Sequence, residues 1–338
     1  MGIIRFLKDW TLPCAIATGS TAYLTFYYVP QLDAAGDALA PVFDVIFPLF
    51  VFLTLLVTFC KVDFHQMLPH RWHLGILVAQ VLLVAVTVAA ILYLKQAASA
   101  SVTDGNAACH ALLTLGGAGG GVLFLEALLT CIIGPAASAS PVVVGKLGGN
   151  ISTMTTYVLI SSLLSALLIP AVFPMLEQTA HVDFLSAFLI ILQKVSMVLL
   201  LPLVLGWLIQ HYAKALQRRI AAQPNLSFYC WAVSLSITTG ITVKNIVHSA
   251  APLSLLLAIA GGTLVLCFLQ FAIGRLTGRR LGEEVNAGQA LFQKNTALSI
   301  WVAYMYLNPV ASIGAGCYVL WQNIINSIEL WQFRRQAG

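Results

Sequence analysis

The sequence predicts an all-helical, multi-pass membrane protein of ten transmembrane helices, and three observations carry that prediction. Of 338 residues, 59% are hydrophobic and 9% charged, and the mean hydropathy is +0.90; a soluble domain has roughly a quarter of its residues charged. Apolar runs bounded by polar or Gly/Pro breaks fall at 10–29, 41–60, 72–94, 119–147, 151–175, 183–208, 227–247, 252–274, 285–306 and 311–331, each near the 20 or so residues that a helical span requires. The basic residues divide accordingly. With the N-terminus inside, Arg5, Lys8, Lys61, Arg71, Lys146, Lys214, Arg218, Arg219, Arg275, Arg279, Arg280, Arg334 and Arg335 lie on the inner side, against Lys95 and Lys244 outside. That bias sets orientation and places both termini in the cytoplasm. The compact loops suggest a bacterial inner membrane.

Composition excludes several classes. The net charge is +5, but the basic residues form no groove-like cluster, so nucleic acid is not an expected partner. Cys14, Cys60, Cys109, Cys131, Cys230, Cys267 and Cys317 contain no CxxC pair, which argues against a disulfide framework or a zinc site. No Asp pair, GxSxG elbow or HExxH lies at membrane depth, as an intramembrane enzyme would require. The start MGIIRFLKDW lacks a small-residue cleavage site, so the first span is expected to be retained.

Taken in order, spans 1 and 2 are followed by DFHQMLPHRWH, where Pro69 interrupts any shared helical face of Asp63, His65, His70 and His73. This reads as a juxtamembrane loop against anionic lipid rather than a metal site. Span 3 carries Gln80 at about 12 Å depth, at ~1.5 Å per residue. Span 4 is broken by Gly134-Pro135 and Ser140-Pro141, within GPAASASP. Span 6 carries Lys194 at about 16 Å, and span 9 carries Gln289, Gln293, Lys294, Asn295 and Thr296, with Lys294 about 13 Å deep. Trp10, Trp72, Trp207 and Trp331 fall near span ends, as interfacial anchors do.

Ten spans divide into five and five. An odd number per half makes the second half enter the membrane inverted, so repeat one is expected over 1–176 and repeat two over 177–338. Interrupted spans at matching places, here 4 and 9, point to a binding site. An ionisable group at mid-membrane costs at least ~2.5–3.5 kcal/mol, which marks Lys194 and Lys294 as functional candidates. Glu126, about 13 Å outward of Pro135, is a candidate charge partner for Lys194 or Lys294, or lies among outer headgroups. Two amines without a matching carboxylate at their depth mean either that one Lys is neutral or that an anionic guest visits. Half-helix N-termini favour the same sign. A small organic anion, carboxylate or sulfonate, is therefore the expected partner besides the lipid bilayer. A receptor that binds such an anion without moving it fits the same pattern.

At these residues the chain resembles the bile acid:sodium symporter superfamily. TCIIGPAASASPVVVGKLGGN in span 4 is similar to that family's Cys-Pro-Gly-Gly, Ser-Asn and Gly-Asp stretch. QKNTALSIWVAYMYLNPVASIGAGCYVLWQNIINS is similar to its Gln-Asn-Ser/Thr and closing Trp-His-Asn segments, GILVAQVLLVAV to a segment whose glutamine helps bind sodium, and ILQKVSMVLLLPLVLG to a Val–Leu-Pro-Leu-Gly run. The resemblance implies a panel of spans 1, 2, 6 and 7, a core of spans 3–5 and 8–10, crossing broken helices 4 and 9, and sodium-coupled uptake of bile acids, sulfated steroids or smaller carboxylates. It also implies that Gln80, Ser138 and Ser140 line the site. The departures are specific: the family's sodium-site glutamate falls on Gln289 or Ala290, its Ser-Asn reads Ser140-Pro141, and its Gly-Asp reads Gly149-Asn150. With an ammonium in place of a carboxylate, sodium meets repulsion. The expectation is alternating access without sodium, with Lys294 replacing the coupling cation. A buried Lys could also exchange protons, so Na+ or H+ stay open as coupling ions and no other cofactor is expected.

Overall fold

The computed structural model describes residues 11–61, 68–99, 114–115, 117, 119–176, 184–223 and 226–337. Arg5, Lys8, Trp10, Asp63, His65, Cys109, His110 and His181 lie outside the described residues. Among the described residues the structure is helical: α1 (Thr11–Tyr28), a short 3-10 turn (Pro30–Leu32), α2 (Asp33–Lys61), α3 (Arg71–Ser99), α4 (Gly120–Ile133), α5 (Ser140–Lys146), α6 (Ile151–Leu176), α7 (Phe184–Tyr212), α8 (Lys214–Ala221), α9 (Leu226–Val247), α10 (Leu253–Leu281), α11 (Glu284–Phe292), α12 (Thr296–Tyr306) and α13 (Pro309–Ala337). By length and composition, α3, α6, α7 and α10 can each cross a membrane; Val45–Lys61, Gly120–Ile133 and Ala232–Val247 are shorter apolar helical stretches.

Helices interrupted by proline persist where their backbone groups are satisfied locally, as membrane helices allow. Pro41 and Pro48 lie inside α2, Pro170 and Pro174 inside α6, and Pro202 inside α7. By contrast, Gly134-Pro135 ends α4, because a residue before proline is pushed out of helical geometry. Pro141 then starts α5, where its missing N–H costs nothing. Gly148, at φ 75°, closes that segment.

The chain forms two compact units, Met1–Val62 with Met197–His248, and Asp63–Ser196 with Ser249–Gly338. In the first unit α9 packs on α1 and α2. A Cβ on Gly19 would lie 1.9 Å from the Ser236 carbonyl oxygen; small residues permit such close helix contact. In the second unit, Trp72 and Ile76 of α3, Val144 of α5, Tyr157 of α6 and Leu291 of α11 share one core cluster. Ala127 of α4, Leu255 and Ile259 of α10 and Ile313 of α13 form another. Trp72 is only 1% exposed, so it is a core residue and not an interfacial anchor. His73 is likewise internal: its Nδ1 accepts from the His70 N–H (3.0 Å) and its Nε2 lies 3.0 Å from the Thr153 carbonyl. The loop reading fails there because α3 begins at Arg71.

Gly314 of α13 touches the α4 backbone, with a Cβ placed 2.3 Å from the Ala127 carbonyl oxygen, whereas Gly261 of α10 has nothing within 4 Å. Gly314→Val is therefore expected to lower thermal stability by an overpacking cost of about 1–3 kcal/mol. Gly261→Val serves as the comparison in the same unfolding assay and should leave the midpoint nearly unchanged.

Candidate functional site

The second unit contains two broken helices. The α4–α5 break spans 134–139 and the α11–α12 break spans 293–295. They pass each other antiparallel, with a bridge between Ala136 and Lys294. Ala137 N–H donates to the Gln293 carbonyl (2.8 Å) and Asn295 N–H to the Pro135 carbonyl (2.9 Å). Gly134 is required by this approach, because a Cβ there would lie 2.3 Å from Ser299 Oγ.

Breaking a helix exposes its last carbonyls, and neighbouring helices supply donors. Gln80 Nε2 of α3 lies 3.1 Å from both the Ile132 and Gly134 carbonyls, and Ser165 Oγ of α6 donates to Ile133 (2.8 Å). Gln270 Nε2 of α10 reaches the Cys131 carbonyl and the Tyr318 hydroxyl. Tyr318 of α13 donates to the Phe292 carbonyl (2.8 Å), so the end of α11 is served as well. Ala136 N–H donates to Ser161 Oγ (3.1 Å). Gln322 brackets the second break: its Oε1 accepts from Lys294 N–H (3.1 Å) and its Nε2 donates to the Lys294 carbonyl (3.4 Å).

Lys294 is 1% exposed. Its Nζ donates to the Gly134 carbonyl at 3.2 Å, which puts the ammonium at the C-terminal, electronegative end of α4. Among the described residues it forms no ion pair with Asp or Glu. A lysine amine carries further N–H groups beyond the one on Gly134.

The other predicted residues divide by position. Gln80, Ser140, Gln293, Lys294, Asn295 and Thr296 gather at the crossover. Ser140 Oγ lies 3.5 Å from the Gln293 carbonyl, and Asn295 Oδ1 caps α12 by accepting from Leu298 N–H. Ser138 lies in the turn of the first break and is half-buried. Gln289 points elsewhere: its amide donates to Asn326 Oδ1 (3.0 Å) and Glu329 Oε2 (2.7 Å), and Glu329 pairs with Arg275. Lys194 is exposed on α7, apart from the crossover contacts. Glu126 is buried, with Lys95 Nζ 3.1 Å away and Asn308 Nδ2 at 2.7 Å; Lys95, not Lys194 or Lys294, is its ion-pair partner. The sequence reading missed Gln270, Tyr318, Ser161, Ser165 and Gln322. Their polar side chains within apolar runs were the available signal.

The two breaks are clamped in parallel ways. Asn150, ahead of α6, bonds Asn286 of α11 through its N–H (2.9 Å) and carbonyl (2.7 Å). Asn308, ahead of α13, bonds Glu126 of α4. Glu126 and Asn286 each precede the crossing residues Gly134 and Lys294 by eight positions.

The family resemblance implies a sodium ion, and the groups at the crossover that bear on one are the Lys294 amine and three unpartnered oxygens. The Lys294 amine lies on the Gly134 carbonyl, and no carboxylate among the described residues pairs with it. The buried oxygens without a hydrogen-bond partner there, Gln80 Oε1, Gln293 Oε1 and Ser299 Oγ, are neutral acceptors.

A family model described as the SBF-like CPA transporter family matches residues 61–325. Comparison with curated proteins returned no match.

Tyr318→Phe removes the donor to Phe292 and the acceptor for Gln270. It is expected to destabilise the protein by about 1–3 kcal/mol, the cost of stranding a buried polar group. Thermal unfolding against Tyr93→Phe, an exposed control, checks this.

Proposed function

The chain belongs to the SBF-like CPA transporter family, and from that membership we propose a secondary active transporter that moves an organic anion by alternating access, with the Lys294 amine replacing a coupling cation. The family and the apolar helices make it an integral, multi-pass membrane transporter. The observation that carries the finer reading is the buried ammonium on the Gly134 carbonyl, with no acidic partner among the described residues. A fixed positive charge between two helix breaks attracts a carboxylate or sulfonate and disfavours a second cation.

The proposed frame is ten spans in two inverted repeats. The matched clamps Asn308–Glu126 and Asn150–Asn286 support it, because each holds the loop after one broken helix against the first half of the other. The two compact units support a division into panel and core, with α7 contributing residues to both. Alternating access to the crossover is the proposed mechanism.

Uptake of a bile acid or sulfated steroid into proteoliposomes is expected to proceed equally with a sodium gradient and with choline in its place. Steep sodium dependence overturns the substitution by Lys294. Counterflow separates transport from mere binding, since a receptor binds saturably but does not accumulate the anion. Lys294→Ala is expected to abolish uptake and anion binding while the protein stays monodisperse, because Gln80 still satisfies Gly134. Unfolding of that variant would instead assign Lys294 a purely structural role.

A further inference from the structure

Between α7 and α9 the chain passes through α8, KALQRRIA, which buries none of its residues. Lys214, Arg218 and Arg219 fall within its two turns, and no Asp or Glu occurs from 197 to 225. Among the described residues none of these three cations forms an ion pair. The helix is nevertheless fixed in place. Gln217 Nε2 donates to the Cys60 carbonyl (3.3 Å), Gln210 Nε2 to the Phe59 carbonyl (2.8 Å), and Lys61 Nζ to the Gln223 carbonyl (2.6 Å). Gln217 thus seats α8 on the C-terminal end of α2, Gln210 of α7 caps the neighbouring carbonyl there, and Lys61 holds the segment just after α8.

At about 100° per residue, Lys214 and Arg218 share one face, Leu216 and Ile220 share the opposite face, and Arg219 lies on the flank nearer Leu216. Leu216 is 47% exposed although apolar. Immediately before α8, Trp207 and Tyr212 are exposed and the His211 ring lies 4.5 Å from Trp207, a grouping suited to headgroup level. An aromatic belt followed by a short helix with two cations on one face, aliphatic side chains on the other and a third cation at the border matches the chemistry of a charged bilayer surface.

We propose that α8 is a docking surface for anionic phospholipid headgroups, with Lys214, Arg218 and Arg219 holding the phosphodiester and Leu216 and Ile220 inserted beside the acyl chains. The seat on α2 makes the bound lipid part of the first unit and not a loose annulus.

The full-length protein, titrated with phosphatidylglycerol or phosphatidylcholine, tests this by native mass spectrometry and thermal unfolding. The triple variant K214Q/R218Q/R219Q should bind phosphatidylglycerol about a hundredfold more weakly, from roughly fivefold per Lys or Arg near an anionic surface. Its phosphatidylcholine binding should be unchanged. L216S should weaken phosphatidylglycerol binding with every charge intact, and K244Q, on α9, should not. Inorganic phosphate should give neither binding nor thermal protection. Equal phosphatidylglycerol binding by wild type and triple variant, no preference over phosphatidylcholine, or protection by phosphate alone would each overturn the lipid assignment.

Discussion

A helix that stops inside a bilayer leaves backbone carbonyls with no water to receive, and that constraint organises the second unit. The carbonyls of Cys131, Ile132, Ile133, Gly134 and Phe292 each meet a side-chain donor from another helix. In hydrocarbon every unsatisfied group of this kind costs several kcal/mol. The breaks therefore exist only because α3, α6, α10 and α13 carry Gln80, Ser165, Gln270 and Tyr318 at the right heights. Four helices are tied to one crossing, so the two half-helix pairs behave as a single polar centre inside an apolar shell.

Lys294 changes the character of that centre. A neutral donor would satisfy Gly134 equally well, and Gln80 already bonds it. The Lys294 amine sits where α4 ends with its negative pole. On the proposed reading, the amine in its protonated form makes the crossover attractive to a negative guest. On that reading a cation carried by the protein supplies the field that a diffusible coupling ion would supply only when bound. The acid nearest in kind, Glu126, is engaged by Lys95 and Asn308 and does not cancel the central charge.

Apolar run length and the Gly-Pro and Ser-Pro steps made the helices and the interruption of α4 legible from sequence, because both are local rules of chain geometry. Depth along a helix identified Gln80 and Lys294 correctly as buried polar groups. Depth alone says nothing about rotation around the helix axis: Gln289, placed at the crossover in the linear reading, bonds Asn326 and Glu329 instead. Glu126 was offered to distant lysines because Lys95 counted only as an outer charge, while the end of α3 brings it to the carboxylate. Trp72 and His73 resemble interface residues in a linear reading and become core residues once α3 starts at Arg71. Tyr318 and Gln322 were hidden because polar side chains four apart on one apolar helix announce a face, not its partner.

The most direct test of the tethered charge is the thermal unfolding of the purified protein in sodium chloride against choline chloride at equal ionic strength. A ligand that binds only the folded state raises the midpoint with its concentration. With the Lys294 ammonium occupying the crossover, the midpoint should be the same in both salts at every concentration. A saturable rise specific to sodium would contradict it, because the crossover would then be holding an inorganic cation beside a supposed fixed one.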